Sequence, residues 1–261
     1  MRAPHREGYR GSTRAAAARE DQARVLAELF GRELYEQRMR VASPLPWLVS
    51  TEHDAAHAAA RVSALRALGF GAVSCATEDA VPWVTPGVAH LELEEEELVL
   101  APLAARFRYD AVRVVVLATL DQETSREEVE RVRVVRNGRR GDPTMPVSRY
   151  QRDHARTRAA YLFLGPRQRT VRLAQGGLVL AGGAGDGALT SFERFERAMD
   201  ALLGRVPHAV RDARLVDARR ARSGFALRGD GRERVTSNLR ETDLVARLLA
   251  LAWLEGQVDP A

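Results

Sequence analysis

Residues 111–120, AVRVVVLATL, are the most strand-like stretch of the chain, and the fold is read outward from them. Four valines and two leucines are side chains that suit a pleated, packed surface, so a strand is expected over Ala111–Leu120. Upstream, His90–Leu93 and Leu98–Leu100 read as strands flanking the acidic run Glu94–Glu97. Successive side chains of a strand point to opposite faces, so these four carboxylates do not converge on a hard cation. The run reads as a solvated hairpin tip.

Downstream, Ser125-x-x-Glu128 has the spacing of a capping box and predicts a short helix before Val132, Val134 and Val135. Asn137-Gly138 is a turn signal. Residues 137–158 show no sustained periodicity and read as a long basic loop. Strands resume at Tyr161–Leu164, Thr170–Leu173 and Leu178–Ala181. Thr190-x-x-Glu193 then caps a helix with Phe192, Phe195, Met199 and Leu202 on its inner face, ended by Gly204 and Pro207. A hairpin turning at Gly229-Asp230-Gly231 carries Phe225–Leu227. Asn238-x-x-Glu241 or Thr242 begins a closing helix with Leu244, Val245, Leu248, Leu249 and Ala252 inward.

The first half reads differently. Residues 1–12 have no periodicity and suggest a flexible tail. A helix is expected from Ser12 or Thr13 to about Val41, with Ala23, Leu26, Phe30 and Leu34 as its stripe, stopped by Ser43-Pro44-Leu45-Pro46. Trp47–Ser50 reads as a strand, Thr51 as an N-cap, residues 52–68 as a helix, and Ala72–Cys75 as a second strand. Together they make a small βαβ unit.

Two resemblances accompany these patterns. Residues 46–76, with LRALGFGAV, resemble small two-layer βαβ domains of the signal-transducing type. Residues 90–204, with LELEEEELVLAP and FRYDAVRVVVLA as early strands and one helix at the end, resemble pleckstrin-homology-like barrels. The resemblance implies a domain that presents a binding surface and transfers no site. The expected class is therefore α+β. Residues 13–89 form a helix plus βαβ module, 90–204 a mostly antiparallel barrel with the basic loop 137–158, and 205–261 a hairpin and closing helix.

Composition narrows the function. The chain has 261 residues and a net charge of +5, with 40 basic side chains that are all arginine. Arginine without lysine, beside abundant alanine, is the signature of a GC-rich bacterial genome, so arginine content alone is poor evidence for phosphate binding. The distribution says more. Residues 78–130 carry a net −9, residues 131–158 a net +7 and residues 205–240 a net +6. No apolar run approaches the roughly 20 residues of a membrane-spanning helix. Cys75 is the only cysteine, which excludes an internal disulfide. No apolar stretch follows the Arg- and Ala-rich first 20 residues as in a signal peptide, so a cytoplasmic protein is expected.

Candidate chemistry is sparse. His53 and His57 are four residues apart, the spacing of zinc-binding helices, but Asp54 replaces the usual glutamate and no third ligand follows. Gly183, Gly185 and Gly187 make a loose phosphate-loop pattern, without a lysine. Solvated histidines and a flexible turn are the plainer readings. Cys75 lies among apolar residues, where cysteine behaves as a small hydrophobe. The strongest binding candidate is the polyanion set Arg136, Arg139, Arg140, Arg149, Tyr150, Arg152, Arg156 and Arg158, in which arginines contact phosphates and one ring stacks a base. Its rival is neutralisation of this segment by the acidic one before it.

No catalytic residues and no cofactor are assigned. The leading expectation is a non-enzymatic binding or regulatory adaptor with a protein partner. The alternatives are a nucleic-acid-binding protein using residues 131–158, and a metal- or nucleotide-dependent enzyme. A homodimer through the N-terminal helix is a further option, because a single apolar stripe must cover something.

Overall fold

The computed structural model describes residues 8–42, 48–76, 79, 82–84, 89–101, 105–133, 144–164, 169–181, 189–217, 224–228 and 233–257; at 8–18, 83–84, 89, 128–133, 144–150, 169, 224–228 and 233–234 only the backbone is described. The chain divides into two units, Met1–Ser50 and Thr51–Ala261.

The first unit contains α1 (Gly8–Phe30) and α2 (Leu34–Ala42). One continuous helix to Val41 was the expectation. Instead Gly31, at φ +58°, breaks it, because glycine alone enters the left-handed region without a steric penalty. The helix also starts at Gly8, inside the expected tail. Arg38 Nε donates to Glu20 Oε2 at 2.7 Å, tying the two helices together.

The second unit begins with α3 (Ala55–Ala67). Its N-cap is Asp54, whose carboxylate accepts from the Ala56 amide at 2.9 Å, rather than Thr51. Residues 48–50 and 71–76 form no strands, so the predicted βαβ unit is absent. A strand needs a sheet edge to pair with. Residues 71–76 instead lie against α3 and the C-terminal region: Arg66 Nε donates to the Ala72 carbonyl, and the Arg66 guanidinium pairs with Glu255.

Eleven strands follow, as two open mixed sheets with no closed barrel among the described residues. They are β1 (Trp83–Val84), β2 (Ala89–Leu93), β3 (Glu97–Ala101), β4 (Ala105–Arg108), β5 (Val112–Arg133), β6 (Thr144–Leu164), β7 (Arg169–Ala174) and β8 (Leu178–Leu180). After α4 (Ser191–Arg205) come β9 (Val210–Leu215), β10 (Gly224–Arg228), β11 (Glu233–Ser237) and α5 (Leu239–Leu254). The large sheet runs β1-β7-β6-β5-β11-β10, with β9 also on β5; the small one runs β4-β3-β2-β8. The Glu94–Glu97 tip connects β2 to β3, with Arg106 bonded to Glu94 and Glu97 at 2.9 and 3.3 Å.

The central strand explains the absence of a barrel. Val114, Val116 and Ala118 of β5 face Val245, Ala246, Leu249 and Ala250 of α5. Val112 and Val115 face the other side, with Phe195, Ala198, Met199 and Leu202 of α4 and with Leu91, Leu98 and Leu100 of the small sheet. A register shift between Val112 and Val114 sends these neighbours to opposite faces. A strand apolar on both faces must be covered on both, and helix α5 together with the α4 layer does so. Thr190 and Glu193 form the predicted capping box of α4. Phe192 is exposed, however, and Ala198 takes its place on the inner face, which follows the i, i+3, i+4, i+7 pattern from Phe195. On α5 the buried stripe is Thr242, Val245, Ala246, Leu249 and Ala250, while Leu244, Leu248 and Ala252 are half-buried.

Two expectations fail on β5 and β6. Ser125 and Glu128 lie inside β5, so no helix forms there, and residues 144–158 belong to β6 rather than to a loop. The register runs without interruption from Val114↔Phe163 to Arg133↔Thr144. Residues 151–156 are exposed on both faces, so neither face carries the apolar alternation by which a strand is recognised.

Candidate functional site

The β5–β6 hairpin outruns its neighbours. β7 pairs with β6 only over 159–164, β9 with β5 only around 114–118, and β11 with β5 only over 122–126. Beyond Ala159, no described strand lies on the outer edge of β6. At about 3.4 Å per residue, residues 144–158 give that edge a length of about 50 Å.

The end of the β7 ladder is built deliberately. Gln175 follows β7, and its Oε1 accepts from the Arg158 amide at 2.8 Å, while its Nε2 donates to Ser191 Oγ at 3.1 Å. The Arg158 guanidinium turns inward: it donates to Thr119 Oγ1 at 2.9 Å, and Thr119 Oγ1 donates to the Val216 carbonyl at 2.5 Å. Arg158 thereby cross-links β6 to Thr119 of β5 and to the Val216 carbonyl.

The register settles how the basic and acidic segments meet. Arg156 stands opposite Asp121, His154 opposite Glu123 and Arg152 opposite Ser125. Paired residues share a face, so the basic row of β6 lies directly beside the acidic row of β5. Asp121 Oδ1 is 3.9 Å from both Arg156 Nε and His154 Nε2. Further out, Tyr150 is in register with Glu127 and Arg149 with Glu128. Residues 119–133 and 144–158 together carry seven arginines and six carboxylates. Arg136, Arg139 and Arg140 lie outside the described residues.

The other candidates separate. His53 precedes the N-cap of α3 and His57 lies within it, both exposed, so they do not share a helix face. No group of three or more metal-ligating side chains occurs among the described residues. Gly183, Gly185 and Gly187 lie outside the described residues, as does Trp47. Cys75 is half-buried, and burial pushes its thiol pKa up, which disfavours the thiolate.

Two buried polar centres were missed by the sequence reading. In the first, Asp243 of α5 accepts from Tyr161 Oη at 2.7 Å and from an Arg172 terminal nitrogen at 2.5 and 2.7 Å. Tyr161 is fully buried. Burial, then the charge and hydrogen bond of Asp243, push its phenol far above the ordinary range. Arg172 also alternates with Val171 and Leu173 in an otherwise apolar strand, a signal that was available in TVRLA. In the second centre, Asp212 accepts from Arg214 Nε at 3.0 Å and from Trp253 Nε1 at 2.7 Å. Burial works against its charge, but the bonds from Arg214 and Trp253 outweigh it and hold the carboxyl below its usual value. Arg247 lies 6.0 Å from the Phe163 ring centroid, and burial lowers its pKa. Each centre pairs opposite charges and ties a helix to a strand, so both read as structural.

No helix of the described residues is long and apolar enough to cross a membrane. No family model, curated protein or solved structure matches this chain.

Proposed function

We propose that this chain is a non-enzymatic, cytoplasmic bacterial adaptor that engages a protein partner through its β5–β6 arm and needs no cofactor. One observation carries the reading: past Arg126 and Gln151 the β5–β6 pair runs on to Arg133 and Thr144 with no further described strand beside it, and residues 151–156 of β6, leading into it, are exposed on both faces. Two-stranded ribbons are marginally stable in water by themselves, so an arm of this length gains most by adding structure on a partner. The arm also favours protein over polyanion. Its described strands carry six carboxylates among seven arginines, and the register sets Asp121 and Glu123 beside Arg156 and His154, a mixed-charge surface that suits a protein better than a uniform row of phosphates.

A second copy is an additional partner reading, through the N-terminal helices. Tyr35 and Met39 lie one turn apart on α2 and are 68% and 60% exposed.

The test shortens the arm at the register pair Arg126↔Gln151, replacing residues 127–150 with Asn-Gly, and in the same variant reverses the basic row left on β6 with R152E/R156E. Wild type and variant are compared by affinity capture from host lysate, by light scattering, and by native mass spectrometry with the 260/280 nm absorbance ratio. A protein retained by wild type and lost by the variant supports the reading. Retention by both wild type and variant, copurified nucleic acid, or a bound nucleotide or metal would overturn it.

A further inference from the structure

Resting on that reading, we infer that the outer edge of β6 takes an extended acidic peptide as an added strand, anchored at Arg152, His154 and Arg156. In an antiparallel sheet, the N–H and C=O of every second residue point to the same edge. The Arg158 amide meets Gln175, the residue that follows β7, so it faces the outer edge. Arg156, His154 and Arg152 follow with the same direction. Among the described residues these edge groups have no strand to pair with.

Side chains of the same three residues continue the face of Ala160 and Leu162, and all are exposed. On the inner flank this basic row has the β5 row of Asp121 and Glu123; on the outer flank no described strand supplies carboxylates. A strand with acidic side chains at alternate positions completes an acid–base–acid ladder across the face. The opposite face carries Gln151, Asp153, Ala155 and Thr157, which suits small neutral side chains on the alternate positions.

Two features select against other occupants. A second copy of β6 would set its basic row against an identical one, and like charges opposite each other are destabilising. The uninterrupted register also leaves the edge without the bulges that usually blunt an exposed strand. Strand addition draws affinity from main-chain hydrogen bonds and selectivity from alternate side chains, which matches what this edge offers.

The test titrates the full chain with a short blocked peptide alternating threonine and glutamate, with a threonine–lysine peptide as control. Affinity is read by fluorescence anisotropy and amide protection by hydrogen exchange. Binding of the acidic peptide, with new protection confined to the amides of residues 152, 154 and 156, is the expected result. His154→Pro removes an edge-directed donor while leaving the bonds to β5, and should weaken binding on the order of tenfold. If His154→Pro disturbs the fold, the R152E/R156E variant, which reverses the charge row, should abolish binding of the acidic peptide. Equal binding of both peptides, binding unaffected by these variants, or no binding overturns the inference. A native partner lost from the shortened, charge-reversed variant, without peptide binding to the wild type, overturns this inference alone. A native partner kept by that variant overturns the arm reading itself.

Discussion

Replacing Asp243 by alanine tests the account of the large sheet's α5 face most directly. The carboxylate sits between the Tyr161 hydroxyl and the Arg172 guanidinium, and the ion pair is only 10% and 15% exposed. Arg172 Nε has no hydrogen-bond partner among the described residues, so Asp243 supplies most of what keeps this cation in the interior. A surface pair of this kind contributes at most about 1 kcal/mol. Removing one partner of a buried pair leaves an uncompensated charge and costs about 3–5 kcal/mol. Against a total stability of roughly 5–15 kcal/mol, Asp243→Ala should lower the urea midpoint by about 1–2 M at an m-value near 2–3 kcal/mol/M. Far-UV ellipticity of wild type and variant at pH 7 measures it. The apolar combination Arg172→Met, Asp243→Leu and Tyr161→Phe should recover most of the loss, because exchanging a whole buried polar group for hydrocarbon of similar shape is often near neutral. A loss below about 1 kcal/mol for Asp243→Ala, or a triple variant as unstable as the single one, would refute the reasoning. The first result would mean that the pair is solvated rather than buried; the second, that the loss does not come from an uncompensated charge.

Three further outcomes follow from other contacts. Asp212 has a depressed folded pKa, so its contribution is present above the unfolded value near 3.9 and is lost as pH falls through the folded one. Asp212→Asn should flatten the loss of stability below about pH 4, with Trp253 fluorescence as the readout; an unchanged acid profile contradicts this. Asn238 is fully buried, accepts from the Asp121 amide at 2.9 Å and donates to the Thr119 carbonyl at 3.3 Å. Asn238→Ala leaves both backbone groups unpaired and should cost about 2–3 kcal/mol in urea unfolding. At Gly71 an added Cβ would lie 2.1 Å from the Gln257 carbonyl oxygen, so Gly71→Ala must displace the chain end. Faster amide exchange at 255–257, with the sheet unchanged, is the expected sign.

Much of the α+β architecture was legible wherever one face of an element is buried. The capping box at Thr190 and Glu193, the Glu94–Glu97 hairpin tip, the β10–β11 hairpin and the closing helix after Asn238 are all local patterns, formed by residues close in the chain. The strand at 111–120 was legible because its valines suit a packed sheet.

What stayed hidden is what depends on distant partners. Residues 144–158 are a strand only because β5 lies beside them, and their two exposed faces carry no apolar period. Residues 48–50 and 71–76 have strand-like composition but no sheet edge to join. Charge was legible as a total, yet only the register set Asp121 and Glu123 of β5 beside Arg156 and His154 of β6. The Tyr161–Arg172–Asp243 centre likewise joins two strands and a helix across 82 residues of chain. Local propensity is decided by neighbours along the chain; strand pairing and charge pairing are decided by neighbours in space, and only the folded chain brings those together.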